Sequence, residues 1–188
     1  MRKYPGWENV EENGNFNSIR PGGYVAFIKN IQDDTDKECL KISYDIAEGE
    51  FKNYYMELYK SQNFWGGAFY RSYKESAISF FKGFITAVEK SNPGYKWDWN
   101  EQGLKGKRIG IVLQEEEYVP QQGKHAGKVR VRLIVQEVHT IEKIRKGEYT
   151  VKEKKLLSQT QSQTQNTESQ NSFDTDNSFD IMEDDIQF

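Results

Sequence analysis

The sequence predicts a mainly β fold of the α+β class, with five strands and one helix in the order three strands, helix, two strands. Two kinds of pattern carry this reading. Segments 40–46 and 129–135 alternate apolar and polar residues with period two, as a strand with one buried face does. Segment 77–88 repeats its apolar residues (Ala77, Phe80/Phe81, Phe84/Ile85, Val88) at three and four positions, as one helical stripe does. Beyond residue 155 both patterns stop.

The elements follow in order. Residues 1–20 read as an N-terminal arm in which Trp7, Val10 and Phe16 can pack onto the domain. Pro21-Gly22-Gly23 turns the chain, and the mostly apolar run from Tyr24 to Ile31 is the first strand. The polar turn 32–36 leads to the second, in which Leu40, Ile42, Tyr44 and Ile46 alternate with Lys41, Ser43 and Asp45. A turn at 47–50 precedes a third strand from Phe51 to Tyr59, making a meander, and residues 60–74 read as an extended loop. Ser72 and Glu75 have the spacing of a capping box, in which each side chain satisfies a backbone N–H of the helix start. Ser91-Asn92-Pro93-Gly94 stops that helix, because proline cannot continue the hydrogen-bond ladder. The fourth strand sends Ile109, Ile111 and Leu113 to one face, and 114–127 reads as a polar loop. The fifth sends Val129, Val131, Leu133 and Val135 to one face and Arg130, Arg132, Ile134 and Gln136 to the other. Residues 141–155 are charged and read as a short helix or a frayed end.

This is the element order of an OB-fold, a five-stranded Greek-key barrel with its helix between strands three and four. Other small α+β sheets share that order. The domain is placed at residues 21–155. Residues 156–188 lack the apolar content to offset chain entropy and are expected to be a disordered linker and acidic tip.

Charge divides the chain at the same boundary. All 26 bases and 22 of the 29 acids lie in residues 1–155, a net charge of +4, whereas residues 156–188 carry −7. A basic domain tethered to an acidic peptide points to an anionic partner for the domain and a separate role for the tail. No apolar run reaches the ~20 residues of a membrane span, and the N-terminus lacks a signal peptide's apolar region, so no membrane partner is expected. The single cysteine, Cys39, excludes an intramolecular disulfide and fits a reducing cytoplasm.

The last nine residues carry a resemblance. Asp184-Asp185-Ile186-Gln187-Phe188, after a Gln/Ser/Asn-rich linker, resembles the C-terminal tip of bacterial and bacteriophage single-stranded DNA-binding proteins. It matches that tip at four of five positions, with Gln187 where the family usually has proline. The stretches 63–74 and 91–95 also resemble phage members of the family. The resemblance implies an OB-fold that coats single-stranded DNA during replication, recombination or repair. It also implies an acidic tip that recruits replication proteins through Asp184, Asp185, Ile186 and Phe188. Phe173 and Phe179, in repeated Asn-Ser-Phe-Asp motifs, can add contacts.

Sequence-tolerant binding of single strands needs a basic groove for phosphates and flat aromatic faces for bases. Two segments offer both. In 64–74, Trp65, Tyr70 and Tyr73 interleave with Arg71 and Lys74, beside Phe64 and Phe69. Lys107, Arg108, Arg130 and Arg132 fall opposite the apolar faces of the last strands, where they can form one basic stripe. The competing reading is structural: the aromatic loop plugs the core, its glycines making room, and the strand arginines are solvated. Trp97 and Trp99 read as core or lid packing, and Lys41 stands too isolated to assign.

Enzyme signatures are missing. His125 and His139 lie 14 residues apart, and with one cysteine they build no zinc site of ordinary spacing. No phosphate-binding glycine loop is present. Asp45, Glu48 and Glu50 are the one carboxylate group that could hold a nuclease metal, and turn carboxylates are usually solvated. The expectation is therefore stoichiometric binding of single-stranded DNA, with RNA and homo-oligomerisation left open and neither cofactor nor metal. An adaptor that binds only proteins, or a metal-dependent nuclease, is the alternative.

Overall fold

The computed structural model describes Pro5, residues 18–123 and residues 125–157. The arm residues Trp7, Val10 and Phe16 lie outside the described residues, as do the linker from residue 158, Phe173, Phe179 and the tip residues Asp184, Asp185, Ile186 and Phe188.

The chain runs β1 (Gly22–Asp34), β2 (Cys39–Ile46), α1 (Tyr54–Gln62), β3 (Ala68–Ser72), α2 (Ile78–Ser91), β4 (Arg108–Tyr118), β5 (Arg130–His139) and α3 (Ile141–Arg145). The five strands form one antiparallel sheet in the order β3-β2-β1-β4-β5. Among the described residues β3 and β5 are its two edges, so the sheet is not closed. One face holds the core: Ala26, Ile28, Ile42, Tyr44, Ile46, Phe69, Ile109, Ile111, Leu113 and Val135 are all buried there. Helix α2 lies on this face, burying Phe81, Phe84, Ile85, Ala87 and Val88, and it touches β3, β4 and β5. One helix therefore reaches both halves of the sheet.

The second face is partly covered. α3 packs Ile141 and Ile144 on Val25 and Val112. Gly110 makes room for it, because a Cβ there would lie 2.5 Å from Ile144 Cγ1 and 2.8 Å from the Thr140 carbonyl. From Tyr149 the chain crosses the sheet as a strap. Gln136 and Gln114 hold it by hydrogen bonds to Thr150, Lys152 and Glu153, and Lys155 pairs with the backbone of Glu115 and Glu117. No helix of the described residues is long and apolar enough to cross a membrane.

Several expected elements differ. The third strand is not 51–59; those residues turn and enter α1, and β3 is 68–72, inside the segment read as a loop. A helix does lie between β3 and β4, but it is one of three. Its start is not a capping box: Ser72 is the last residue of β3, its Oγ accepts the Lys74 N–H, and a 3₁₀ turn, Glu75–Ala77, opens α2. β4 continues through Glu115-Glu116-Glu117 to Tyr118, because β5 pairs with it along that length. Its acids look like a loop in isolation and are matched across the strands and by the strap: Glu116 meets Arg132 and Lys155, and Glu117 meets Lys154.

Candidate nucleic-acid interface

Tyr70 lies on the second face of β3, directly across from Lys41 on β2. Directly opposed side chains start with their Cβ atoms about 5 Å apart. The Tyr70 phenol is pushed above its ordinary value, first by burial. Lys37 and Arg132 act on it in the other direction. Arg132 belongs to β5, four strands away. Four strand spacings are roughly 19 Å, and the registers add to this along the strands, since Tyr70 lies at the Gln32 end of β1 and Arg132 beyond its Gly22 end. The register places Lys41 beside Tyr70, and Lys37 and Arg132 enter only as charges that oppose the upward shift.

Arg132 is tightly placed. Its Nε and Nη2 donate to Glu116 Oε2 at 2.9 and 2.8 Å, and its guanidinium stacks over the Tyr118 ring at 4.7 Å. Arg130 is the cross-strand neighbour of Tyr118 and is exposed. The second face thus carries two groups of ring and base, Tyr70 with Lys41 on β3 and β2, and Tyr118 with Arg130 and Arg132 on β4 and β5. Lys37 is paired with Asp34 and Arg132 with Glu116, whereas among the described residues neither Lys41 nor Arg130 has an ion-pair partner.

The other expected residues lie elsewhere. Trp65 is 5% exposed: its Nε1 donates to the Gly67 carbonyl and its ring packs between Tyr55 and Tyr59, so no face is offered to a ligand. The plugging role is the one this loop takes. Tyr73 is half-buried, with its ring edge-on to Phe81 and its hydroxyl donating to Asp33 at 2.8 Å. Lys74 is exposed at the start of the 3₁₀ turn. Arg71 points to the core face; its Nη1 donates to the Tyr70 carbonyl and its guanidinium lies 4.8 Å from the Phe69 ring centroid. Among the described residues it has no carboxylate partner.

The single basic stripe does not form. Arg130 and Arg132 pair with the end of β4, at Tyr118 and Glu116, while Arg108 begins β4 opposite Phe27. Eight strand residues separate Arg108 from Glu116, about 26 Å. Lys107 precedes the strand and covers the Tyr95 ring at 4.6 Å.

Two of the three carboxylates of the nuclease alternative have structural partners. Asp45 is fully buried, and its oxygens accept the N–H groups of Ile46, Tyr55 and Met56 at 2.8, 3.0 and 3.0 Å. It serves α1 as an N-terminal cap from another strand, meeting donors that have no partner within the helix. Glu48 makes a two-point ion pair with Arg145, which holds its carboxyl below the usual range and ties α3 to the β2–α1 turn.

No protein-family model matches this chain, and no curated protein is significantly similar to it. Sequence reasoning missed Lys41, Lys37 and Tyr118. Lys41 looks isolated along the chain and gains its neighbour only through the β2–β3 register.

Proposed function

We propose that this protein binds single-stranded DNA stoichiometrically, the strand crossing the Tyr70 end of the sheet, with the acidic tip at Asp184–Phe188 left to recruit replication or recombination proteins. The observation that carries the reading is the setting of Tyr70: a half-buried ring on the second sheet face, with Lys41 directly across from it. Rings supply stacking faces that accept any base, and lysines and arginines supply phosphate contacts. An unclosed five-stranded antiparallel sheet with a helix after its third strand also supports an OB-type barrel, which is partly open in this class. In such barrels the face of strands two and three binds oligonucleotides, and that is the face of Lys41 and Tyr70.

The test is a titration of labelled oligo-dT of about 30 nucleotides, long enough for at least one binding site, with duplex of equal length as control. Binding to the single strand that weakens steeply between about 50 and about 200 mM salt is the expected result. Absence of binding at low salt overturns the reading and leaves the tip-dependent adaptor in its place.

A further inference from the structure

Trp99 stands apart from every other described aromatic residue. It is 76% exposed, although tryptophan is the largest apolar side chain the chain possesses. Its backbone is left-handed, with φ 65°, a conformation that costs a bulky residue free energy and suits glycine or asparagine. The loop between α2 and β4 enforces this. Asn92 donates to the Val88 and Arg108 carbonyls and accepts the Arg108 N–H, which clamps the end of α2 to the start of β4. Glu89 accepts the Trp97 N–H, Asp98 accepts the Asn100 N–H, and Asn100 caps the turn that follows. The chain is thus fixed on both sides of a strained residue whose ring faces water.

The surroundings suit one kind of ligand. Trp97 supports Trp99 from behind, at 6.1 Å between ring centroids. Beside the loop is an open pocket of about 790 Å³ lined by Asn92, Tyr95, Lys96, Asp98 and Lys107 among others. Lys107 lies over the Tyr95 ring, Lys96 is 84% exposed and pairs with Glu89 at 3.5 Å, and the buried Tyr95 hydroxyl has no hydrogen-bond partner among the described residues. Three ring-to-ring steps, of 6.1, 6.0 and 6.2 Å, connect Trp99 through Trp97 and Phe81 to Tyr73, next to the end of β3. A strand that crosses the β3 edge is therefore within a few ring widths of Trp99.

We propose that Trp99 is a second base-stacking platform for single-stranded nucleic acid, with the adjoining phosphate placed at Lys96 and Lys107. This rests on the proposed function. It adds a separate contact outside the sheet face.

The experiment titrates oligo-dT into the full chain and into Trp99→Gly, Trp99→Phe and Trp99→Leu, following affinity, tryptophan quenching and thermal midpoint. Glycine relieves the positive φ, so Trp99→Gly is expected to keep or raise the midpoint. It is also expected to lose about 5- to 100-fold in affinity, the effect of one stacked base, and much of the quenching. Trp99→Phe retains most of the affinity and Trp99→Leu does not, both under the same backbone strain. If the wild-type chain binds and Trp99→Gly binds within about twofold of it, or Leu serves as well as Phe, the platform is refuted while the DNA-binding function stands. If the wild-type chain does not bind oligo-dT at low salt, the function falls and the platform with it.

Discussion

Arg71 holds a positive charge in a partly buried setting on the core face. Its pKa is pushed down to about 10 from 12.5 by burial, with one neutral carbonyl and one ring face as partners. The unfolded chain thus binds this proton more tightly than the folded one. The penalty is fully present below about 10 and is relieved as pH rises beyond it. Arg71→Met keeps the aliphatic stem and removes the charge, so it is expected to raise stability by roughly 1 kcal/mol at neutral pH. A denaturant midpoint that falls instead would show the guanidinium to be net stabilising. Asp45 predicts the opposite sign. It is the acceptor for three backbone N–H groups, and Asp45→Ala leaves them buried without partners, at a cost of about 3 kcal/mol. Asp45→Asn, which keeps an acceptor oxygen, is expected to lose less, and equal losses in the two variants would contradict the capping role. Neither residue's setting is visible along the chain, since each depends on which segment lies across from it.

At the level of elements, β2 and α2 broadly follow their patterns, whereas Val129 and Val131, expected on the buried face of the fifth strand, are 59% and 50% exposed, and Phe80 of the helical stripe is 50% exposed. β2 alternates because one face is core, and α2 repeats at three and four because one stripe is core. The misread segment is 51–62. Its residues Phe51, Tyr54, Tyr55 and Tyr59 favour strands by composition, yet they form a helix whose aromatics pack with one another and with Trp65. The overlooked signal is the pair of asparagines bracketing it: Asn53 and Asn63 are both left-handed, and the Asn63 N–H closes the last turn onto the Tyr59 carbonyl. Displacing the third strand to 68–72 puts Gly67 against the core. A Cβ there would sit 2.5 Å from the Tyr44 carbonyl and 2.6 Å from the Tyr55 ring. Backbone cannot yield as a flexible side chain can. Gly67→Ala is therefore expected to cost about 2 kcal/mol or more, read as a lowered denaturant midpoint. A change below about 0.5 kcal/mol, as at an ordinary surface position, would mean that the loop is not wedged in this way.

For the whole molecule, charge was legible in the sequence and its placement was not. The excess of bases in residues 1–155 is plain from composition. Which bases meet depended on sheet register: Lys41 falls across from Tyr70, Arg130 and Arg132 fall beside Tyr118 and Glu116, and Arg108 falls opposite Phe27. If Lys37, Lys41, Arg130 and Arg132 each contact a phosphate, log affinity should fall against log salt with a slope of about −3, each contact contributing about −0.7 on a single strand. The acidic tail opposes this attraction. Removing residues 158–188 deletes seven acids and no base, which changes the net charge from −3 to +4. Lys155, three residues before that segment, is ion-paired with Glu116, the same carboxylate that holds Arg132. Deletion of 158–188 is expected to tighten oligo-dT binding at about 50 mM salt by an order of magnitude, and to have little effect at high salt, where the screening length falls to about 3 Å at 1 M. Equal affinity of the full and shortened chains at low salt would mean that the tail does not compete for the face, and its acids would then act only on other proteins.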